Sequence, residues 1–132
     1  MDIVSALFAE NINLRPVPGP STRIDLTGIM FSVPAPAPPP VTITPHLIVL
    51  IRCRPDEPGQ GVLEVVYHHA DDRGGEEVAR NVSPFNVEPG KFTYRLVRAE
   101  LAFKEYSTIE ASCRLVPSTQ LTTVPITLLP PV

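Results

Sequence analysis

The sequence predicts an all-β chain: a single antiparallel β-sandwich of immunoglobulin-like type over residues 1–132, with seven or eight short strands and little or no helix. Three observations predict it. The chain carries 17 prolines among its 132 residues, and proline fixes φ and removes a backbone donor, which loops and strand ends tolerate and long helices do not. The longest apolar run, His46 to Arg54, is short, rich in Ile, Val and Leu, and bounded by Pro45 and Pro55, which suits a buried strand better than a helix. The other apolar residues alternate with polar ones in short runs at near-regular spacing, as in strands with one face buried.

Length allows one core and therefore one domain. The formal net charge is -3, with no clustered basic face to compete with counterions for phosphate, so nucleic acid is not an expected partner. No apolar run approaches the roughly 20 residues that span a bilayer as a helix, so membrane insertion is not expected. The opening MDIVSALFAE lacks the early basic residues and small-residue cleavage pattern of a secretory leader, which points to a cytoplasmic location. In that reducing compartment Cys53 and Cys113 are expected as free, buried thiols. Both fall on the aliphatic face of their strands, so an inter-sheet disulfide is the competing reading, and geometry decides it.

In chain order, residues 2–9 read as a strand rather than a helical turn, and NINLRPVPGPS reads as a loop. From Thr22, Ile24 and Leu26 oppose Arg23, Asp25 and Thr27; Gly28 then breaks the phase and Ile29 and Phe31 take over the apolar positions, the mark of a bulge. Residues 33–41, VPAPAPPPV, predict a stiff polyproline II connector carrying the chain from one sheet to the other. Pro36 and Pro39 also fit the loose PxxP spacing of groove ligands, but no Arg or Lys flanks them to orient such a contact. The central strand sets Leu47, Val49, Ile51 and Cys53 against Ile48, Leu50, Arg52 and Arg54, so one face is apolar and the other ends in charge.

VLEVVYHH is a second strand, expected beside the first, and DDRGGEE turns it into EVARNV, with Gly74 and Gly75 supplying positive φ. Phe92, Tyr94 and Leu96 then oppose Lys91, Thr93 and Arg95, and the phase slips so that Val97, Ala99, Leu101 and Phe103 follow on, which places either a bulge or a turn near Leu96 and Val97. TIEASCRL is the cleanest amphipathic strand, with Ile109, Ala111, Cys113 and Leu115 on one side. In the last run Pro125 predicts an edge strand.

Little here points to chemistry. YHHADDRGGEE gathers two histidines and four carboxylates, yet His68 and His69 point to opposite faces of a strand, and the spacing matches no established ligand set. A solvated hairpin tip is the simpler reading, and no metal or other cofactor is expected. Cys113 lies on a core face, where a thiol is inert. No nucleophile elbow, phosphate-binding glycine loop or zinc-ligand cysteine pair occurs, so catalysis is not expected. Candidate partner contacts are Pro36, Pro38, Pro39 and Pro40 in the connector, His68, His69, Asp71 and Asp72 at the hairpin, and Tyr106 in the turn after Phe103.

SALFAENINL, the hairpin HHADDRGGEEV and the pair PGKFTYRL and TIEASCRL resemble small actinobacterial and other bacterial β-sandwich proteins of unknown function. The resemblance implies a fold and carries over no catalytic residue. The expected function is a binding or assembly module that acts through protein–protein contacts or self-association, using edge strands, end loops and the proline-rich segment. The alternative is a small-ligand or carbohydrate-binding sandwich, with a cleft near Tyr106 or the hairpin.

Overall fold

The computed structural model describes residues 1–18, 22–70 and 76–131. Among these residues the chain is all β, with no helix. The strands are β1 (Asp2–Pro16), β2 (Thr22–Met30), β3 (Ser32–Pro34), β4 (Val41–Ile43), β5 (His46–Arg52), β6 (Gln60–His69), β7 (Glu77–Asn86), β8 (Phe92–Arg98), β9 (Leu101–Phe103), β10 (Thr108–Val116) and β11 (Thr122–Leu129). They form a four-stranded sheet in the order β2-β1-β5-β8, a five-stranded sheet in the order β3-β11-β10-β6-β7, and a small sheet of β4 and β9. Alternation predicts fewer strands because β3, β4 and β9 have three residues each, too few to display a period.

The core lies between the two large sheets. Phe8, Leu47, Val49 and Ile51 from one meet Leu63, Val65, Ile109, Cys113, Ile126 and Leu128 from the other, each at most 1% exposed. Fully burying one such aliphatic side chain is worth about 1.5–3 kcal/mol, so these positions dominate the stability. Cys53 and Cys113 are both buried and free. Burial pushes the Cys113 thiol up to about 12, which keeps it protonated and unreactive at neutral pH.

Several sequence expectations are corrected. β1 does not end near Ala9: it runs to Pro16, because Asn11–Pro16 pairs antiparallel with Thr22–Thr27. Gly28 causes no phase change. The β1–β2 register is the same on both sides of it, Met30 packs on the core, and Ile29 and Phe31 are 50% and 57% exposed. Gly28 has φ +68, and a Cβ there would stand 2.6 Å from Glu10 Cδ, so its role is to let the Glu10 side chain cross the strand. The irregularity in this sheet lies instead between Ile3 and Ser5, where Val4 is the extra, exposed residue.

The segment 33–41 is not one polyproline rod. Its first residues pair in β3, residues 36–40 bend, and Val41 enters β4. The segment does link the five-stranded sheet to β4 and thence to β5. β6 is not beside β5 but in the other sheet, between β10 and β7. The β5–β8 ladder is unbroken from His46–Arg98 to Arg52–Phe92, so no bulge lies at Leu96 and Val97, and the chain breaks instead between Arg98, where β8 ends, and Leu101, where β9 begins. Val97 is interior, which places Thr93 and Arg95 on the interior side and leaves Phe92 and Leu96 outside. β11 is not an edge strand along its length: β3 covers Thr127–Leu129. Pro125 lies beyond that cover, so no hydrogen bond to β3 is forfeited there.

Candidate functional site

The two large sheets share a core but have opposite outer faces. On β5 the residues that alternate with the core positions are His46, Ile48, Leu50 and Arg52. A strand that reads apolar on both sides is one built to be covered on both sides. Its neighbours extend the surface. Leu7, Ile48 and Leu96 stand side by side across β1, β5 and β8; Ser5, Leu50 and Tyr94 form the next row; Ile29, Ala9, His46 and Arg98 form the one on the other side. Ile48 and Ala9 are each 1% exposed although neither joins the core between the sheets. Leu96 at 44%, Ile29 at 50% and Phe92 at 62% are the open residues of this surface.

Charge is confined to the two ends of this surface. At one, Arg52 Nη2 lies 3.3 Å and Arg54 Nη2 3.5 Å from Asp2 Oδ2. At the other, His46 Nδ1 is 3.2 Å from the Glu10 carbonyl oxygen, and Arg98 stands beside it on β8.

The outer face of the five-stranded sheet mixes apolar residues, Val62, Val66, Val82 and Val116, with three hydrogen-bonded groups of polar side chains. Glu64 accepts from Arg114 Nε at 2.8 Å and from Arg80 Nη1 at 3.1 Å, and Arg80 also donates to Glu77. The hydrogen bond from Arg114 is the first cause holding the Glu64 carboxyl below the usual range, with the charges of Arg114 and Arg80 adding to it. Ser112, 7% exposed, joins His68 Nε2 at 3.0 Å to Thr123 Oγ1 at 3.3 Å, and Thr108 and Thr127 bond each other at 2.7 Å.

The sequence-derived candidates fall elsewhere. His68 belongs to the Ser112 group; its Nδ1 is buried with no partner among the described residues. His69 is on the opposite face of β6, across from Ile109, and its backbone N–H donates to Glu76. Asp71 and Asp72, like Gly74 and Gly75, lie outside the described residues. Pro36, Pro38 and Pro40 are exposed and Pro39 half-buried, while the buried Ala35 donates its N–H to the Leu129 carbonyl at 2.9 Å. Tyr106 is 42% exposed. Bonds from Ala70 to Thr108, from Leu128 to Ser107 and from Ala35 to Leu129 bring the hairpin base, the Tyr106 turn and the proline segment to one end of the five-stranded sheet. Among the described residues, no three His, Cys, Asp or Glu side chains are grouped to hold an ion.

An open pocket of about 570 Å³ lies at the other end of β6 and β7, lined by Gln60, Gly61, Phe85, Asn86 and Arg95 among others. Arg95 reaches into it from β8, donates to the Pro84 carbonyl and sits 5.8 Å over the Phe85 ring, with Nε buried and unpartnered among the described residues. The Phe85 ring lies directly on Gly61, where a Cβ would approach within 2.6 Å. Sequence reasoning missed both Arg95 and the outer apolar face. The signal for Arg95 was Val97, two residues on and apolar, which shares its side of the strand.

No helix among the described residues is long and apolar enough to cross a membrane. No protein-family model matches the chain, and no curated protein matches it either.

Proposed function

We propose that this protein is a non-catalytic binding or assembly module, a sandwich of immunoglobulin-like type that acts through protein–protein contacts. The observation that carries this reading is the outer surface centred on Leu7, Ile48 and Leu96, a row of apolar residues across three strands on the side of the sheet away from the core, with Leu96, Ile29 and Phe92 exposed. Contiguous apolar surface rimmed by charge marks contact sites, since covering it removes apolar area from water at about 25 cal/mol per Å². The outermost strands of the same sheet, β2 and β8, and the exposed prolines at one end of the five-stranded sheet are further contacts.

The test is the native mass of the protein recovered gently from its own cells, alone and with Leu96→Glu. Leu96 is half-exposed, so the substitution leaves the monomer's stability within about 0.5 kcal/mol. The expected result is an assembly larger than one chain that Leu96→Glu dissociates. An unassociated wild-type chain would remove the proposal.

A small-ligand reading has one observation in its favour, the Arg95 pocket, with its unpartnered guanidinium nitrogen and the amides of Gln60 and Asn86. That pocket lies away from Tyr106 and the hairpin. A ligand that stabilises the wild type in thermal unfolding but not Arg95→Gln would favour it.

A further inference from the structure

We infer that two copies of this chain pair through the free edge of β2, antiparallel and centred on Ile24, joining two four-stranded sheets into one. The inference rests on the assembly reading above and names the partner as a second copy.

Past Ala9–His46, β1 has no ladder partner but β2 among the described residues, so Asn11–Pro16 and Thr22–Thr27 form a ribbon beyond the sheet. A two-stranded ribbon alone is marginal in water. β2 is the outermost strand of its sheet, and no proline interrupts TRIDLTGIM, so its outward N–H and C=O groups form a template for another strand. One side of the ribbon is apolar. Ile12 stands opposite Leu26 and Leu14 opposite Ile24, on the side of Phe8 yet outside the core.

The other side carries the charge that sets the register. Arg15 stands directly opposite Arg23, a like-charge pair that disfavours the ribbon. Arg15 is bonded diagonally to Asp25, at 2.9 Å and 3.1 Å, and Arg23 has no ion pair among the described residues.

Residues opposite each other in an antiparallel pair point to the same side, so a two-fold pairing of β2 with itself must centre on a residue. Centring on Arg23 sets it against Arg23 of the other copy, and centring on Asp25 sets it against Asp25. Centring on Ile24 sets Arg23 of each copy opposite Asp25 of the other. It also gives an unbroken apolar row, Leu14, Ile24, Ile24 and Leu14, across four strands. Arg23 and Asp25 are the only charged residues of β2, so of all residue centres on the strand Ile24 alone sets opposite charges against each other.

The test uses the full chain as wild type, as Arg23→Asp, as Asp25→Lys, and as an equimolar mixture of the two variants, read by sedimentation with circular dichroism to show equal folding. Each variant alone opposes like charges twice, so its dimer is expected to weaken about tenfold or more. In the mixture, the two carboxylates on the edge of one chain face the two cations on the edge of the other, so the mixed dimer is expected to recover. Variants that associate as the wild type does, or a mixture that stays monomeric, overturn the inference; the assembly reading then stands if Leu96→Glu still dissociates the wild type. A wild-type monomer that holds another chain overturns the inference alone, and one that holds nothing overturns both.

Discussion

The two outer faces, one on each large sheet, solve the same problem in opposite ways. The five-stranded sheet meets solvent with Val82 and Val116 interspersed among groups that bond one another: Glu64 between Arg80 and Arg114, Ser112 between His68 and Thr123. Such groups are already satisfied, and a partner covering them would have to replace each bond it displaced. The four-stranded sheet meets solvent with Leu7, Leu50, Tyr94 and Leu96 around a buried Ile48. Apart from the hydroxyls of Ser5 and Tyr94, covering it desolvates apolar groups. The core between the sheets stabilises the monomer, while outside it one face carries a buried apolar centre and the other carries hydrogen-bonded polar groups.

The sharpest test of that contrast is Ile48→Ala. At 1% exposure, on a face that does not belong to the core, Ile48 is expected to behave as a core residue and cost about 2–4 kcal/mol in urea unfolding. A cost near that of an ordinary surface substitution would show that its neighbours close over the gap, and the apolar face would lose its organising centre. The counterpart on the other sheet is Ser112→Ala. Removing the hydroxyl leaves His68 Nε2 and Thr123 without it, for an expected loss of about 1–2 kcal/mol. No loss would mean that water serves these groups equally well.

Much of the fold could be read from the sequence, and the failures have a common cause. Alternation fixes which residues share a side, so Leu47, Val49 and Ile51 separate correctly from Ile48, Leu50 and Arg52. It does not say which side is the interior or which strand is the neighbour. Phe92, Tyr94 and Leu96 look like a core face because they are apolar; Val97, on the opposite side, is the buried one, and Arg95 goes inward with it. β5 and β6 are adjacent in sequence but lie in different sheets, because a loop such as RPDEPGQG crosses between layers as readily as it turns within one. The prolines between Arg15 and Ser21 hid the β1–β2 ribbon, since Pro16 is tolerated at the end of a strand. The outer surface was invisible for the same reason as Arg95: Leu7, Ile48 and Leu96 become neighbours only when β1, β5 and β8 are set side by side.

The smallest expected effect concerns how far the polar face depends on charge. Hydrogen bonds from Arg114 and then the surrounding positive charge hold the Glu64 carboxyl below its ordinary range in the folded chain. A depressed folded value means that the unfolded chain binds the proton more readily. The contribution is therefore complete above the unfolded value, about 4.3, and is lost as pH falls through the folded one. Asp25, Glu57 and Glu88 are lowered as well, so the informative quantity is the difference between wild type and Glu64→Gln. That difference in urea midpoint is expected to be present at neutral pH and to shrink on acidification below about pH 4. A difference that stays constant with pH would mean that the carboxylate's charge contributes nothing to the network. The outer net would then be held by neutral hydrogen bonds alone, and the two faces would differ in packing rather than in electrostatics.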